Sequence, residues 1–222
     1  MTTEDMRAML RDIEIEVELT RHSIGKNALD PRVMAAMAKV PRERFLPNSM
    51  RHLAFRDGPV PIGHGQTISQ PYIVALMTDL LAPEAGDVIL EIGTGSGYQA
   101  AVLAELVKQV YTTEIVQPLA AEAAERLARL GYRNVEVRHI DGYGGWPEHA
   151  PYDGIVVTAA APHIPPPLLD QLKPGARLVI PVGHPGDIQE LQLVEKAADG
   201  KLSTRQVLGV AFVPLTGGHG AA

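Results

Sequence analysis

The sequence predicts an α/β fold in which helices flank a central, mostly parallel sheet and further helices precede it. Strand-like and helical segments alternate from residue 87 onward, which is the pattern of a parallel sheet covered on both faces. A glycine-rich loop at 93–97 joins the first of these strands to a helix. Glu114 ends the next strand, about 20 residues further along the chain.

Composition predicts one globular domain. The chain has 222 residues, of which 45% are hydrophobic and 21% charged, with a formal net charge of -6. This charge weighs against a nucleic-acid partner, which usually needs a basic face. Because there is no cysteine, disulfides and thiolate metal sites are excluded. The N-terminus lacks the features of a signal peptide, and no apolar run is long enough for a membrane helix, so we expect a cytoplasmic protein. We also expect a monomer.

The first 81 residues predict three helices around an irregular connection. Met6, Met9, Leu10, Ile13 and Val17 share one helical face, which predicts an amphipathic helix over 3–22. Asp30-Pro31 is a helix start signal, and the second helix is expected to end at Pro41. The stretch 41–70 is rich in proline and glycine and is expected to be ordered but irregular. Pro71 opens the third helix, which is expected to reach Leu81.

The remaining elements follow in the order that a parallel sheet requires. Strands are expected at 87–92, 109–114, 135–140, 152–158 and 177–182. Helices are expected at 98–106, at 118–130 before Gly131, and at 166–172 before Pro174-Gly175. Segments 190–195 and 204–213 are expected to form a closing antiparallel pair around Asp199-Gly200.

The glycine loop favours a nucleotide-like cofactor. Glycines let the backbone approach a ligand closely, the following helix contributes its N-terminus, and Glu114 is placed to bind ribose hydroxyls. Gly95, Gly97 and Ala100 fit the dinucleotide pattern, so a nicotinamide cofactor is one alternative. However, the acidic Glu91 stands two residues before Gly93, a form that resembles the first motif of S-adenosylmethionine-dependent methyltransferases. Asp141-Gly142 after the third strand agrees with that second alternative.

An upstream segment is more specific. Gly65-Gln66-Thr67-Ile68-Ser69-Gln70-Pro71 resembles the signature of the protein-L-isoaspartate O-methyltransferase family, which repairs damaged aspartyl and asparaginyl sites. The resemblance extends over residues 40–216. It includes the segments 40–45, 90–100, 141–146, 157–162, 178–183 and 212–216. It implies a Rossmann-like methyltransferase fold, S-adenosyl-L-methionine as cofactor, S-adenosyl-L-homocysteine as product, and isoaspartyl-containing proteins and peptides as partners.

The resemblance also implies roles for particular residues. Ser69 is the expected catalytic residue. The residues implied to bind cofactor are Thr67, Ile68, Gly93, Thr94, Gly95, Ser96, Gly97, Glu114, Ile115, Asp141, Gly142 and Thr216. The residues implied to bind substrate are His64, Gln66, Ser69, Val213, Pro214 and Leu215. No metal site is expected. The implied organisation is N-terminal helices and substrate loop at 1–80, a cofactor-binding core at 81–216, and a disordered tail at 217–222.

The family's reaction methylates the α-carboxylate of an L-isoaspartyl residue, and a carboxylate is already ionised at neutral pH. No strong general base is therefore needed, and the task is alignment of the reacting atoms. Ser69 precedes Pro71 and so lies near a helix N-terminus, where it is placed to hold an anion or to act as an ordinary helix cap. Spacing alone favours the cap, whereas the resemblance favours the catalytic role.

Two departures from the family pattern concern the substrate rather than the cofactor. Ala211 stands where many family members carry arginine, and the segment 25–30 is longer than the usual N-terminal turn.

The alternatives to isoaspartyl repair are a methyltransferase that acts on a small molecule or RNA, a non-catalytic cofactor-binding module, and a nicotinamide oxidoreductase.

Overall fold

Nine strands and six α-helices form across residues 3–217, which are the residues that the computed structural model describes. The helices are α1 (Thr3–Ile24), α2 (Pro31–Lys39), α3 (Pro71–Leu81), α4 (Tyr98–Ala104), α5 (Gln117–Arg129) and α6 (Pro166–Asp170). The strands are β1 (Val60–Gly63), β2 (Gln66–Ile68), β3 (Val88–Ile92), β4 (Gln109–Glu114), β5 (Val135–His139), β6 (Tyr152–Val157), β7 (Leu172–Val182), β8 (Gln189–Lys196) and β9 (Leu202–Val210). Most of the tail that the sequence predicts to be disordered, from residue 218 on, lies outside the described residues.

A seven-stranded sheet with the order β5-β4-β3-β6-β7-β8-β9 forms the centre of the structure. The pairs from β5 to β7 are parallel, whereas β8 is antiparallel to both β7 and β9. The fold class expected from the sequence, a mostly parallel sheet flanked by helices with an N-terminal helical addition, is thus confirmed. Among the described helices, none is long and apolar enough to cross a bilayer.

The two faces of the sheet bury separate apolar clusters. One cluster contains α3, α4 and the apolar sides of α1, α2 and α5. The other contains Trp146, Tyr152, Leu168 and Leu172 under α6 and the segment that precedes β6. Successive strand side chains point to opposite faces, so neighbours such as Ile155 and Val156 belong to different clusters.

Helix α3 lies inside the protein. All eleven of its residues are buried, as expected for a helix that is apolar all round and packed between other elements. Pro71 occupies its first turn, where the missing N–H costs nothing. Ala82 ends the helix in the left-handed conformation, with φ of 52°.

The helix at 71–81 and the strand at 109–114 have the predicted bounds. The expectation of an irregular stretch at 41–70 is wrong in part, because β1 and β2 form an antiparallel hairpin there. The strand expected to begin at residue 177 begins at Leu172, and Pro174-Gly175 lies in an irregularity of β7 rather than ending α6. Strand β9 ends at Val210 instead of residue 213.

Candidate active site at the carboxyl edge of the sheet

Two loops meet at the carboxyl ends of β3 and β6, where the strand order reverses. The chain leaves β3 towards β4 on one side and later returns to form β6 on the other side. In open α/β sheets, the crevice at such a reversal is the usual ligand site. The loop after β3 is the glycine loop 93–97, and the loop after β6 begins at Thr158.

The glycine loop has a backbone that other residues would strain. Gly93, Gly95 and Gly97 have φ values of 96°, 52° and 86°. A Cβ on Gly93 would also lie 2.4 Å from Oγ1 of Thr158. That hydroxyl is 2.6 Å from the carbonyl oxygen of Gly93 and 3.0 Å from that of Ile92. Thr158 therefore holds the start of the loop against β6.

Glu114 holds the middle of the loop. Its Oε2 accepts a hydrogen bond from the Gly95 amide at 2.8 Å, and its Oε1 accepts one from the Val116 amide at 2.9 Å. The residue is buried but lines the cavity described below. Each carboxylate oxygen can accept two bonds, so Glu114 can also accept bonds from the hydroxyls of a ligand.

Beneath the loop, Glu91 is fully buried and does not line the cavity. The Thr112 hydroxyl donates to its Oε2, and the hydroxyls of Thr112 and Thr94 are 2.7 Å apart. Its Oε1 has no hydrogen-bond partner within the described residues. Burial raises the pKa of Glu91 to about 8; the bond from Thr112 lowers it, and the carboxylate of Glu114 raises it. Glu91 thus supports Thr94 from below through the hydroxyl of Thr112.

A cavity lies above this loop and gathers most of the residues that the sequence indicated. Of the residues expected to bind cofactor, those that line the cavity are Thr67, Ile68, Gly93, Thr94, Gly95, Ser96, Glu114, Ile115, Gly142 and Thr216. Of the residues expected to bind substrate, those that line the cavity are Gln66, Ser69, Val213, Pro214 and Leu215. Residues that sequence reasoning did not assign to the site also line it, namely Val74, Ile92, Tyr98, Gln99, Thr113, Val116, Thr158 and Ala159.

Gly97, Asp141 and His64 were expected in the site but do not line the cavity. Gly97 lies at the start of α4, where its left-handed φ turns the chain. Asp141 accepts a hydrogen bond from the Tyr143 amide at 3.0 Å and so caps a short 3-10 helix, next to the lining residue Gly142. His64 is exposed in the turn of the β1–β2 hairpin.

This hairpin carries the upstream segment to the glycine loop. His64 and Gly65 both have positive φ, of 53° and 73°, as a two-residue turn of the I′ type requires. Val60 and Ile62 point inward, and Ile62 would contact a Cβ on Gly95 at 3.5 Å. The hairpin thus places Thr67 to Ser69 over the loop.

Ser69 lies where two cavities meet. The second cavity is lined by α1, the start of α3 and the end of β9, and it shares Thr67, Ser69, Thr158 and Val213 with the first. Open space amounts to about 750 Å³ in the first cavity and about 1270 Å³ in the second, with their mouths included. The residue that caps α3 is Gln70, and no side chain of the described chain donates or accepts a capping bond there. The structure therefore gives no support to Ser69 as a helix cap.

The C-terminal segment closes one side of this junction. The Ala160 amide donates to the Val213 carbonyl at 2.8 Å, and the Leu215 amide donates to the Ala160 carbonyl at 2.7 Å. The buried carboxamide of Gln189 accepts from the Phe212 amide at 2.6 Å and donates to its carbonyl at 3.0 Å. The backbone of residues 212–215 is therefore held by the Gln189 side chain and by the backbone of Ala160.

The first cavity fits a ligand that carries hydroxyls and an aromatic base. Thr113 lines it and is nearly fully buried, and its Oγ1 has no partner within the described residues. A Cβ on Gly142 would lie 2.5 Å from a methyl group of Ile92 and 2.7 Å from Thr113 Oγ1, so only glycine fits there. With Glu114 as acceptor, these residues suit the nucleoside part of S-adenosyl-L-methionine.

Comparisons with known proteins agree with this geometry. A sequence model of the family described as protein-L-isoaspartate(D-aspartate) O-methyltransferase matches residues 16–220. The chain is 64% identical over 211 residues to protein-L-isoaspartate O-methyltransferase 2 of Syntrophobacter fumaroxidans, with 95% of this chain and 85% of that protein covered. It is 62% identical over 209 residues to a protein of the same name from a Polaromonas species, with 94% and 99% covered.

Two solved structures are also similar. A protein-L-isoaspartate O-methyltransferase superposes with a TM-score of 0.78 at 28% identity, over 94% of this chain and 66% of that one. A putative protein-L-isoaspartate O-methyltransferase from Plasmodium falciparum, in complex with S-adenosyl-L-homocysteine, superposes with a TM-score of 0.74 at 25% identity, over 92% and 97%.

Replacement of Glu114 tests its assignment to the cofactor. Glu114→Ala should weaken S-adenosyl-L-homocysteine binding by about 1.5–3 kcal/mol, because it removes an acceptor of charged hydrogen bonds. Titration calorimetry measures this change. Glu125→Ala is the matched control, since Glu125 is an exposed carboxylate of α5 paired with Arg129. Equal affinity in the Glu114→Ala and control variants would contradict the assignment.

Replacement of Glu91 tests its protonation. The raised pKa means that, between about pH 5 and pH 8, folded Glu91 keeps a proton that the unfolded chain releases. The free energy of unfolding should therefore fall as pH rises through this window, and Glu91→Gln should reduce that fall. Urea unfolding of both proteins at pH 5, 6, 7 and 8 measures the difference. Parallel pH dependences would show that Glu91 does not titrate in this range.

Proposed function

The chain belongs to the protein-L-isoaspartate(D-aspartate) O-methyltransferase family, and we propose that it initiates the repair of L-isoaspartyl residues in damaged proteins and peptides. It is a methyltransferase that uses S-adenosyl-L-methionine and yields S-adenosyl-L-homocysteine. The single observation that carries the proposal is the junction at Ser69, where a cavity suited to the cofactor opens into a second cavity.

The chemistry of repair follows from the free α-carboxylate of an isoaspartyl residue. This carboxylate takes the methyl group that S-adenosyl-L-methionine supplies, which forms a methyl ester and leaves the thioether. The backbone nitrogen of the following residue then attacks the ester carbon, methanol leaves, and a succinimide forms. Water opens the succinimide partly to a normal aspartyl residue, so the protein has to catalyse only the methyl transfer.

A neutral residue suits this transfer better than a cationic one. The reacting carboxylate and sulfonium are oppositely charged, and their charges vanish as the methyl moves. A cation bonded to the carboxylate would therefore stabilise the reactants more than the transition state. The Ser69 hydroxyl can orient the carboxylate by one hydrogen bond, with neither a base nor a fixed charge.

The cofactor roles are distributed over the first cavity. Glu114 accepts bonds from the ribose hydroxyls, and the glycine loop surrounds the amino-acid part of the cofactor. Asp141 receives the adenine amino group beside Gly142. The remaining proposed contacts come from the hairpin, from the residue after Glu114 and from the C-terminal segment, as the sequence implies: Thr67, Ile68, Ile115 and Thr216.

The substrate peptide lies in the second cavity and reaches the C-terminal segment at Val213, which lines both cavities. Because Val213 and Leu215 direct backbone groups to Ala160, the Pro214 carbonyl and the Thr216 amide face the opposite side. An extended peptide can pair with these two groups. Ala211, where many family members carry arginine, also lines this cavity, so flanking residues of the peptide meet a short apolar side chain there. From the hairpin, Gln66 meets the peptide where it enters the first cavity, and His64, which lines neither cavity, contacts the part of the peptide that lies outside.

The proposed partners are isoaspartyl-containing proteins and peptides alone. The net charge of -6 and the sequence pI of about 5.7 disfavour nucleic acid and anionic membranes.

The chain acts as a cytoplasmic monomer with a single domain, in which residues 1–80 supply the substrate loop and residues 81–216 bind the cofactor. Light scattering during size-exclusion chromatography measures the oligomeric state.

The methyl acceptor tests the function directly. A peptide with one L-isoaspartyl residue should accept methyl groups from S-adenosyl-L-methionine, whereas the same peptide with a normal aspartyl residue should not, because its α-carboxyl is in the main chain. Volatile methanol released from radiolabelled ester in base measures the transfer. Equal methylation of both peptides, or transfer only to RNA or a small molecule, would contradict the proposal.

Replacement of Ser69 tests its role. Ser69→Ala should lower single-turnover methylation about 10- to 150-fold, which corresponds to the loss of about 1.5–3 kcal/mol from one charge-assisted hydrogen bond. Affinity for S-adenosyl-L-homocysteine should change less, because the hydroxyl acts on the acceptor. Ser49→Ala, at an exposed serine of a short 3-10 helix, is the control. A Ser69→Ala protein with full turnover would remove Ser69 from the catalytic site.

A further inference from the structure

Arg42 is a fully buried arginine that forms no ion pair with any residue between 3 and 217. It lies at the start of a 3-10 helix, Arg42–Phe45, and none of its side chain is exposed to solvent. Charged side chains are almost never fully buried unless they are paired. Within the described residues, no carboxylate lies at salt-bridge distance from its guanidinium. Burial of an unpaired charge lowers the stability of the folded protein.

The guanidinium donates hydrogen bonds to two backbone carbonyls. Its Nε donates to the carbonyl of Ala54 at 2.8 Å, and its Nη2 donates to the carbonyl of Ser69 at 2.7 Å. Its Nη1 is buried and has no hydrogen-bond partner within the described chain. Its Cζ lies over the Tyr98 ring, 4.7 Å from the ring centre, which is a cation–π distance.

These contacts join the two halves of the site. Ser69 lines both cavities, and Tyr98 lines the cofactor cavity where α4 begins. Ala54 follows the second 3-10 helix, Asn48–Leu53. The Arg42 guanidinium therefore fixes the backbone of Ser69 relative to Tyr98, the residue that follows the glycine loop.

Arginine is suited to this task in a way that lysine is not. Its donors have a fixed planar arrangement, and its face stacks on an aromatic ring, whereas a lysine ammonium is a single point of charge on a flexible stem. Arg42 also lines neither cavity, and its guanidinium donates to the carbonyls of Ala54 and Ser69. It can hold Ser69 in place without the reactant stabilisation that a direct bond to the acceptor carboxylate would cause.

We propose that Arg42 is a positioning residue for methyl transfer, which sets the place of Ser69 between the substrate cavity and the cofactor cavity. This proposal rests on the proposed function. It predicts that Arg42 affects the turnover of bound substrate more than it affects cofactor affinity, because the bond at stake holds the residue that orients the acceptor.

The test compares Arg42→Lys with Arg177→Lys. Arg177 is a matched control, because its Nη1 donates to the Leu80 carbonyl at 3.2 Å, at the opposite end of α3 from Ser69. Arg42→Lys should lower kcat for an isoaspartyl peptide by about tenfold or more, since small misplacements of reacting groups are costly. The Kd for S-adenosyl-L-homocysteine should change by less than about threefold, as expected for a group outside the cofactor contacts. Arg177→Lys should keep the parent kcat.

The outcomes separate this proposal from the proposed function. If the parent protein does not methylate the isoaspartyl peptide, the proposed function fails. If the parent is active and the folded Arg42→Lys protein has the parent kcat, only the role of Arg42 fails. An equal loss of kcat and cofactor affinity in Arg42→Lys would show general damage to the glycine loop and would also overturn the role.

A measurement on the unaltered protein covers the case in which Arg42→Lys does not fold. The Nε–H of Arg42 should give a slowly exchanging resonance, because it is buried and bonded to Ala54. In the complex with S-adenosyl-L-homocysteine, that resonance should shift when isoaspartyl peptide binds and stay in place with the aspartyl peptide. A resonance that does not respond to saturating isoaspartyl peptide would overturn the proposal.

Discussion

The glycine loop after β3 is the constraint on which the site depends, and the carboxylate of Glu114 maintains it. The two bonds that Glu114 accepts, from Gly95 and Val116, hold a backbone that runs through three left-handed glycines. Thr158 ties the start of this loop to the neighbouring strand β6. Because the loop lies where the strand order reverses, these few bonds determine where a cofactor can enter the sheet edge.

The acceptor side is assembled from elements that are far apart in sequence. The hairpin β1–β2 supplies the wall that ends in Ser69, and backbone bonds to Ala160 fix the segment at 213–215. A reaction that removes two opposite charges gains most from alignment in surroundings of low polarity. This explains how a site with a neutral serine and no acid–base pair can suit methyl transfer to a carboxylate.

Local sequence signals predicted the elements that are defined by local rules. Pro71 predicted the start of α3, and a β-branched run predicted the bounds of β4. The spacing between the glycine loop and Glu114 predicted that Glu114 lies beside this loop. The hairpin was missed because prolines and glycines interrupt 41–70, although the inward Val60 and Ile62 and the turn at Gly65 were its signals. Thr158 lies within the family-like segment 157–162, but its contact with Gly93 could not be predicted, because that contact depends on the long-range pairing of β3 with β6.

The central claim is that Ser69 orients the acceptor carboxylate at the junction of the two cavities. The most direct test is a crystal structure of the complex with S-adenosyl-L-homocysteine and an L-isoaspartyl peptide. We expect a carboxylate oxygen within hydrogen-bond distance of Ser69 Oγ, about 2.5–3 Å, on the side that faces the cofactor sulfur. A carboxylate bound away from Ser69, with the cofactor in place above the glycine loop, would contradict it.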